Sequence, residues 1–101
     1  MAKGKAANLP ANQKLIKVTL SMQRPGSQEV FLCGDFNQWS PGSLRMIRRD
    51  ENGQWEKRLT LAPGRYEYKF LVDGEWVHDP AARENVANPY GSLNSVLEVY
   101  P

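Results

Sequence analysis

A single cysteine, Cys33, leaves no internal disulfide to form, which excludes a disulfide-stapled secreted scaffold. No apolar stretch approaches the length needed to cross a bilayer. The start, Met1-Ala2-Lys3-Gly4-Lys5-Ala6-Ala7-Asn8, lacks the apolar run of a secretion signal, so a cytoplasmic protein is the default expectation. Charge of one sign is scarce as well: 13 Lys+Arg against 11 Asp+Glu give +2. That excess is too slight for duplex DNA or an anionic membrane, which want a concentrated basic stripe. The densest cluster, Arg45, Arg48 and Arg49, runs straight into Asp50 and Glu51.

Catalytic ingredients are thin. The one histidine, His78, lies in His-Asp-Pro, where Asp79-Pro80 reads as turn initiation. Cys33 lies mid-strand with no histidine partner implied, so a Cys/His nucleophile has no basis. Metal-ligand spacing is missing. Asp73 and Asp79 fall in turns, where Asp serves the backbone, and nothing sets two carboxylates about a glycosidic bond. The expectation is a protein that is no enzyme, carries no cofactor or metal, and binds neither nucleic acid nor membrane.

What is present is a run of short strands. The 101 residues, 41% hydrophobic and 24% charged, have room for one small domain with one core. Residues 1–13 are small, polar and broken by Pro10, and read as a flexible tail before a domain over 14–101. Lys14 to Gln23 alternates, with Ile16, Val18, Leu20 and Met22 on one side. Arg24-Pro25-Gly26-Ser27 is a turn. Glu29 to Phe36 is a second strand, and Leu44 to Arg49 a weaker third, ended by the hairpin signal Asn52-Gly53. Gln54 to Leu61 places Trp55, Leu59 and Leu61 on one face, which assigns Trp55 to the core.

Ala62-Pro63-Gly64 leads into Arg65 to Val72, where Tyr66, Tyr68 and Phe70 line up. Asp73-Gly74 makes a tight hairpin into Glu75 to His78. Residues 79–92, with Pro80, Pro89 and Gly91, read as a long loop with one helical turn near Ala81 to Glu84. Leu93 to Val99 closes the chain. About seven short strands without a sustained helical period predict an all-β fold, an immunoglobulin-like antiparallel sandwich.

Two tryptophans stand in turn regions, where burial does not account for them. Trp39 follows a strand end in Gly34-Asp35-Phe36-Asn37-Gln38-Trp39, and Trp76 comes just past the Asp73-Gly74 turn. A two-residue turn pairs Val72 with Glu75, Leu71 with Trp76, Phe70 with Val77 and Lys69 with His78. Cross-strand partners share a face, so Phe70 and Val77 join Tyr66 and Tyr68 in the core. Trp76 then faces outward beside Leu71, with Lys69 one diagonal away. Parity in the closing strand sends Leu93, Leu97 and Val99 inward and Asn94 outward.

Each of these residues also has a plainer reading. Trp39 could cap the end of the sandwich, Lys69 could pair with Glu67 or Glu75, and Asn94 could be an ordinary edge residue. The sharper reading is a saccharide site, since a pyranose stacks its C–H face on an indole and offers hydroxyls to donors and acceptors. A platform removing roughly 100 Å² of apolar surface gains about 2–3 kcal/mol, partly offset by ordering. Weak affinity, on the order of 1–100 μM, is expected.

The same residues carry a family likeness. Glu29-Val30-Phe31-Leu32-Cys33-Gly34-Asp35-Phe36-Asn37-Gln38-Trp39 resembles the "V-x-L-x-G-x-F-N-x-W" signature of glycogen-binding domains. Pro63 to Pro80 resembles "P-x-G-x-Y-x-Y-K-F-x-V-D-G-x-W-x-x-D-P", and Asn88 to Val99 resembles the closing "G-x-x-N-x-x-x-x-V" strand. The family is carbohydrate-binding module family 48, which includes the glycogen-binding domain of the AMP-activated protein kinase β-subunit and the N-terminal domains of isoamylases and branching enzymes. The likeness spans about residues 14–100.

It implies an early-set sandwich that binds α-1,4-glucans such as glycogen, starch or maltooligosaccharides. Trp39, Trp76, Lys69 and Asn94 would be the main contacts, Tyr90 the wedge that is usually a leucine, and Ser92 a neighbouring hydroxyl. Tyr90 is a departure that either extends the stacking surface or blocks part of the groove. A glycogen-metabolising enzyme or kinase is the implied protein partner, and an interaction module for such an enzyme is the alternative reading.

Overall fold

The alternation of apolar residues translates into eight strands in a computed structural model, which describes residues 14–101. The tail expected over residues 1–13 lies outside the described residues. The strands are β1 (Ile16–Gln23), β2 (Val30–Gly34), β3 (Ile47–Arg48), β4 (Gln54–Leu61), β5 (Gly64–Val72), β6 (Glu75–Val77), β7 (Glu84–Ala87) and β8 (Leu93–Val99). One antiparallel sheet runs β1-β4-β3 and the other β2-β5-β8-β7, with β6 pairing the end of β5. The expected β-sandwich is therefore what forms. Among the described residues no helix is long and apolar enough to cross a membrane.

The core is where the two inner faces meet. Leu20 and Met22 of β1 and Trp55 of β4 supply one wall, and Val30, Leu32, Tyr68, Phe70 and Val72 the other, with Met46 between. Phe70 and Leu32 are fully enclosed, and the rings of Tyr68 and Phe70 meet edge to face at 5.8 Å. Trp55 is buried as its period predicts, with the Arg48 guanidinium 5.7 Å from its ring centre.

Turns fix the register. Asp73 (φ 48°) and Gly74 (φ 85°) both take the left-handed conformation of a two-residue I′ hairpin, and the pairs Phe70–Val77, Leu71–Trp76 and Val72–Glu75 follow. The Asp73 carboxylate also accepts the backbone N–H of Gln28 and Glu29, which ties the β5–β6 turn to the start of β2. Asn52-Gly53 closes β3 onto β4 through Asp50, whose Oδ1 accepts from the Asn52 and Gln54 N–H groups.

Gly53 sits at φ 85°, and a Cβ there would lie 2.6 Å from the Arg24 carbonyl oxygen. Gly53→Ala is expected to lose about 2 kcal/mol or more, since the left-handed conformation alone costs about 1–2 kcal/mol for an L-residue. A urea midpoint lowered with an unchanged slope checks it.

Three expectations fail locally. Only Ile47 and Arg48 of the Leu44 to Arg49 stretch form a strand, joined by an isolated bridge between Phe31 and Arg45, because the segment leaves β2 to reach β4. The helical turn near Ala81 to Glu84 does not form. Instead Glu84–Ala87 is strand β7, which uses the hydrogen-bonding edge of β8 left free by β5. Leu93 is 37% exposed rather than inward, since it pairs only with Ala87, ahead of the stretch of β8 that meets β5.

A buried polar clasp anchors the connection into β7. The Tyr68 hydroxyl donates to Asp79 Oδ2 (2.7 Å), the Asp79 N–H donates to Ser95 Oγ (2.7 Å), and Ala81 N–H donates to Asp79 Oδ1. Burial first, then the Asp79 carboxylate, push the Tyr68 phenol well above its usual range. Asp79 is thus a structural acceptor, in keeping with its place in a turn.

Candidate functional site

On the outer face of the five-stranded sheet, alternation along β5 presents Glu67, Lys69 and Leu71. Trp76 of β6 stands beside Leu71 by register, and it is 48% exposed. Ser95 pairs with Tyr68, so Asn94 is the β8 residue that flanks Lys69. The sheet alone therefore sets an indole, an ammonium and an amide in one row.

Two loops turn this row into a concave site. The first follows β2: a 3-10 turn at Asp35–Asn37 leads into Gln38 (φ 53°) and Trp39 (φ 57°), two consecutive left-handed residues without a glycine. Such residues cost on the order of 1–2 kcal/mol each and persist only where neighbours hold them. Asn37 holds the backbone, accepting the Gly34 N–H on Oδ1 (3.0 Å) and donating to the Ser40 carbonyl (3.1 Å) and Ser43 Oγ (2.9 Å). The Asp35 carboxylate accepts the Trp39 indole N–H on Oδ1 (2.9 Å) and the Glu67 backbone N–H on Oδ2 (2.8 Å).

The second loop, residues 88–92, is organised by Asn88. Its Oδ1 accepts the Tyr90 and Ser92 N–H groups, and its amide donates to Ser92 Oγ and Asn94 Oδ1, each at 2.9 Å. Tyr90 is lifted out at the tip, 91% exposed.

Between the loops lies a cavity of about 680 Å³ lined by Trp39, Lys69, Trp76, Tyr90, Ser92 and Asn94, the six residues singled out from the sequence. The structure brings all six together, and the two indoles bound the same space. Trp39 lines this cavity and does not cap the sandwich core.

Lys69 differs from its expected setting. It is only 7% exposed, and its Nζ donates to Ser92 Oγ (2.8 Å) in place of an ion pair with Glu67 or Glu75. The Asn88–Ser92 loop supplies that hydroxyl. Asn94 is no idle edge residue: its amide donates to Glu67 Oε1 (3.0 Å).

Asp35, Glu67, Asn88 and Pro89 also line the cavity and escaped the sequence reading. Glu67 was within reach, since it sits two residues before Lys69 on the same strand face. Asp35 carries a weaker signal, four residues before Trp39 in a non-helical turn, and the loop residues carry none in any periodicity. The Asn94 amide first, then the Arg65 guanidinium, hold the Glu67 carboxyl below the usual carboxylate range. Cys33 shares this face opposite Lys69, but it is fully enclosed, with its thiol donating toward the Ser40 carbonyl (3.5 Å). Burial pushes that thiol up, which makes it inert.

The site therefore offers flat apolar rings, one buried cation and amide and carboxylate edges, the ingredients for a ring-shaped ligand bearing hydroxyls. Comparison with known proteins points the same way. Residues 16–101 match the family described as the glycogen recognition site of AMP-activated protein kinase. The chain is 40% identical over 74 residues to the pig (Sus scrofa) 5'-AMP-activated protein kinase subunit beta-1, covering 73% of this chain and 57% of that one. It is 36% identical over 95 residues to the mouse (Mus musculus) beta-1 subunit, covering 91% of this chain and 33% of that one.

Among solved structures, a maltogenic amylase from S. marinus superposes with a TM-score of 0.70 at 26% identity, over 84% of this chain and 14% of the amylase. The chain thus spans 57% or less of these relatives. With sequence motifs, sandwich and family match in agreement, the chain belongs to the glycogen-recognition domains of AMP-activated protein kinase type, within carbohydrate-binding module family 48.

Proposed function

We propose that this chain is a non-catalytic binding domain for α-1,4-glucans such as glycogen, starch or maltooligosaccharides. In this reading Trp39 and Trp76 stack on glucosyl rings, while Lys69 and Asn94 meet the hydroxyls. Ser92 and Tyr90 complete the rim. The observation that carries the proposal is the convergence of both indoles on one cavity over a buried lysine. A buried ammonium held by a neutral hydroxyl keeps two further N–H donors for ligand oxygens.

The non-catalytic reading rests on the cavity's carboxylates. Asp35 is occupied by two N–H donors and Glu67 by Asn94 and Arg65. A glycosidase acid needs its pKa raised so that it holds a proton at neutral pH. Glu67 is shifted the opposite way.

A second reading is favoured by the relatives themselves, which are kinase subunits of which this chain matches only part. Sugar binding would then serve as the address for a glycogen-metabolising enzyme or kinase partner. Both readings are compatible. They separate if Trp76→Ala abolishes co-sedimentation with glycogen while leaving association with such an enzyme intact.

Titration with maltoheptaose, followed by tryptophan fluorescence, tests the proposal. A saturating change with Kd on the order of 1–100 μM is expected, weakened by Lys69→Ala. No response at millimolar sugar would refute it.

Acid should release the site in a defined direction. A carboxyl whose pKa is lowered by its native partners lends order above its ordinary pKa and loses it as pH falls through the lowered value. Glu67 is such a group. Maltoheptaose affinity is therefore expected to be flat from neutral to mildly acidic pH. It should fall only below the ordinary carboxylate range, as protonated Glu67 frees Asn94. Glu67→Gln should shrink that acid limb, and calorimetric titrations across pH check it.

A further inference from the structure

We propose that Asp35 is a positioning residue for the ligand site: its carboxylate locks the Trp39 indole in the stacking orientation before any ligand arrives. The proposal rests on the glucan-binding reading and adds a role to a residue that contacts the ring rather than the sugar.

Asp35 Oδ1 receives the indole N–H of Trp39 and Oδ2 the backbone N–H of Glu67, so one side chain joins the half-buried ring to the central strand of the sheet. Both partners are donors, and a carboxylate is the side chain that presents acceptors on both atoms. An amide of the same shape would turn its NH₂ toward one donor.

The turn itself needs no help from Asp35, because Asn37 closes its backbone through Gly34, Ser40 and Ser43, and Trp39 N–H donates to the Gly34 carbonyl (2.9 Å). None of those bonds reaches the indole. Among the described residues Asp35 is the hydrogen-bond partner of the Trp39 ring. Asp35 is also exposed, so its bonds are solvent-competed and add little to global stability. A half-buried ring at a cavity rim that can still turn must be ordered at each binding event, and fixing it beforehand raises affinity without adding a contact.

The test uses the full chain labelled with 15N. It carries three tryptophans and so three indole N–H signals, of which Trp39→Phe identifies one. In ligand-free Asp35→Asn the Trp39 indole signal is expected to shift and to exchange with water several-fold faster, while those of Trp55 and Trp76 stay in place. The maltoheptaose Kd should rise about five- to tenfold, with the melting temperature within about 2 °C of wild type. In a Trp39→Phe background the same Asp35→Asn change should alter Kd less than about twofold, because the ring no longer has an N–H to hold. Asp35→Ser provides a second variant, expected to behave in the same direction.

An indole signal unmoved in both Asp35 variants would overturn the proposal. So would a Kd penalty that persists in the Trp39→Phe background, which would make Asp35 a direct sugar contact. A wild-type protein that binds no maltoheptaose would instead sink the glucan reading. The ring restraint is read from the free protein and would still stand or fall on the indole signal alone.

Discussion

Trp76→Ala is expected to weaken maltoheptaose binding by about 30- to 100-fold while leaving the fold intact. The ring stands 48% exposed on a three-residue strand, so the free protein gives up little burial when it is removed. The bound state loses a platform covering roughly 100 Å² of apolar surface, or about 2.5 kcal/mol, and each 1.4 kcal/mol is tenfold in affinity. No neighbour can replace it. Leu71, its cross-strand partner, lacks a flat face, and Tyr90 is carried on a separate loop. Calorimetric titration beside a thermal melt checks both halves of the expectation. An unchanged Kd would remove Trp76 from the site, and a large drop in melting temperature would show that the ring serves the fold.

The opposite pattern is expected for Phe70, one residue beyond Lys69 on the same strand. Its side chain points to the inner face, fully enclosed and edge-on to Tyr68 at 5.8 Å. Phe70→Ala removes a large side chain from a site that strand pairing on both sides prevents from collapsing. The cost of such truncations is about 3–5 kcal/mol. Against a total of about 5–15 kcal/mol for a domain of this size, that is a large share of the stability. The melting temperature should fall by about 15–30 °C. At a temperature where the variant is still folded, its glucan affinity should stay close to wild type, since the outer face is untouched. One strand thus separates stability from binding by parity alone.

That parity is also why much of the site was legible in the sequence. Asp73-Gly74 admits only a tight hairpin, and once its register is known, Trp76 must face away from Phe70 and Val77. The inner rows Leu20, Met22, Trp55 and Phe70 follow from the same period of two. Depth was not legible. Nothing local to Lys69 says where its ammonium will be held, because its partner is Ser92, 23 positions downstream in a loop shaped by the side chain of Asn88. Strand β7 was invisible for a related reason. Glu84-Asn85-Val86-Ala87 has no alternation of its own and becomes a strand only because β8 offers a free edge. Gln38 and Trp39 adopt left-handed backbone that their residue types disfavour, so the hydrogen bonds of the Asn37 side chain, not local propensity, explain the turn.

A crystal structure of the protein soaked with β-cyclodextrin or maltoheptaose shows whether the two indoles share one glucan. Glucosyl rings are expected to lie flat against both Trp39 and Trp76, with hydroxyls within hydrogen-bond distance of Lys69 Nζ and Asn94. Sugar density elsewhere on the molecule, or an empty cavity at saturating ligand, would contradict it.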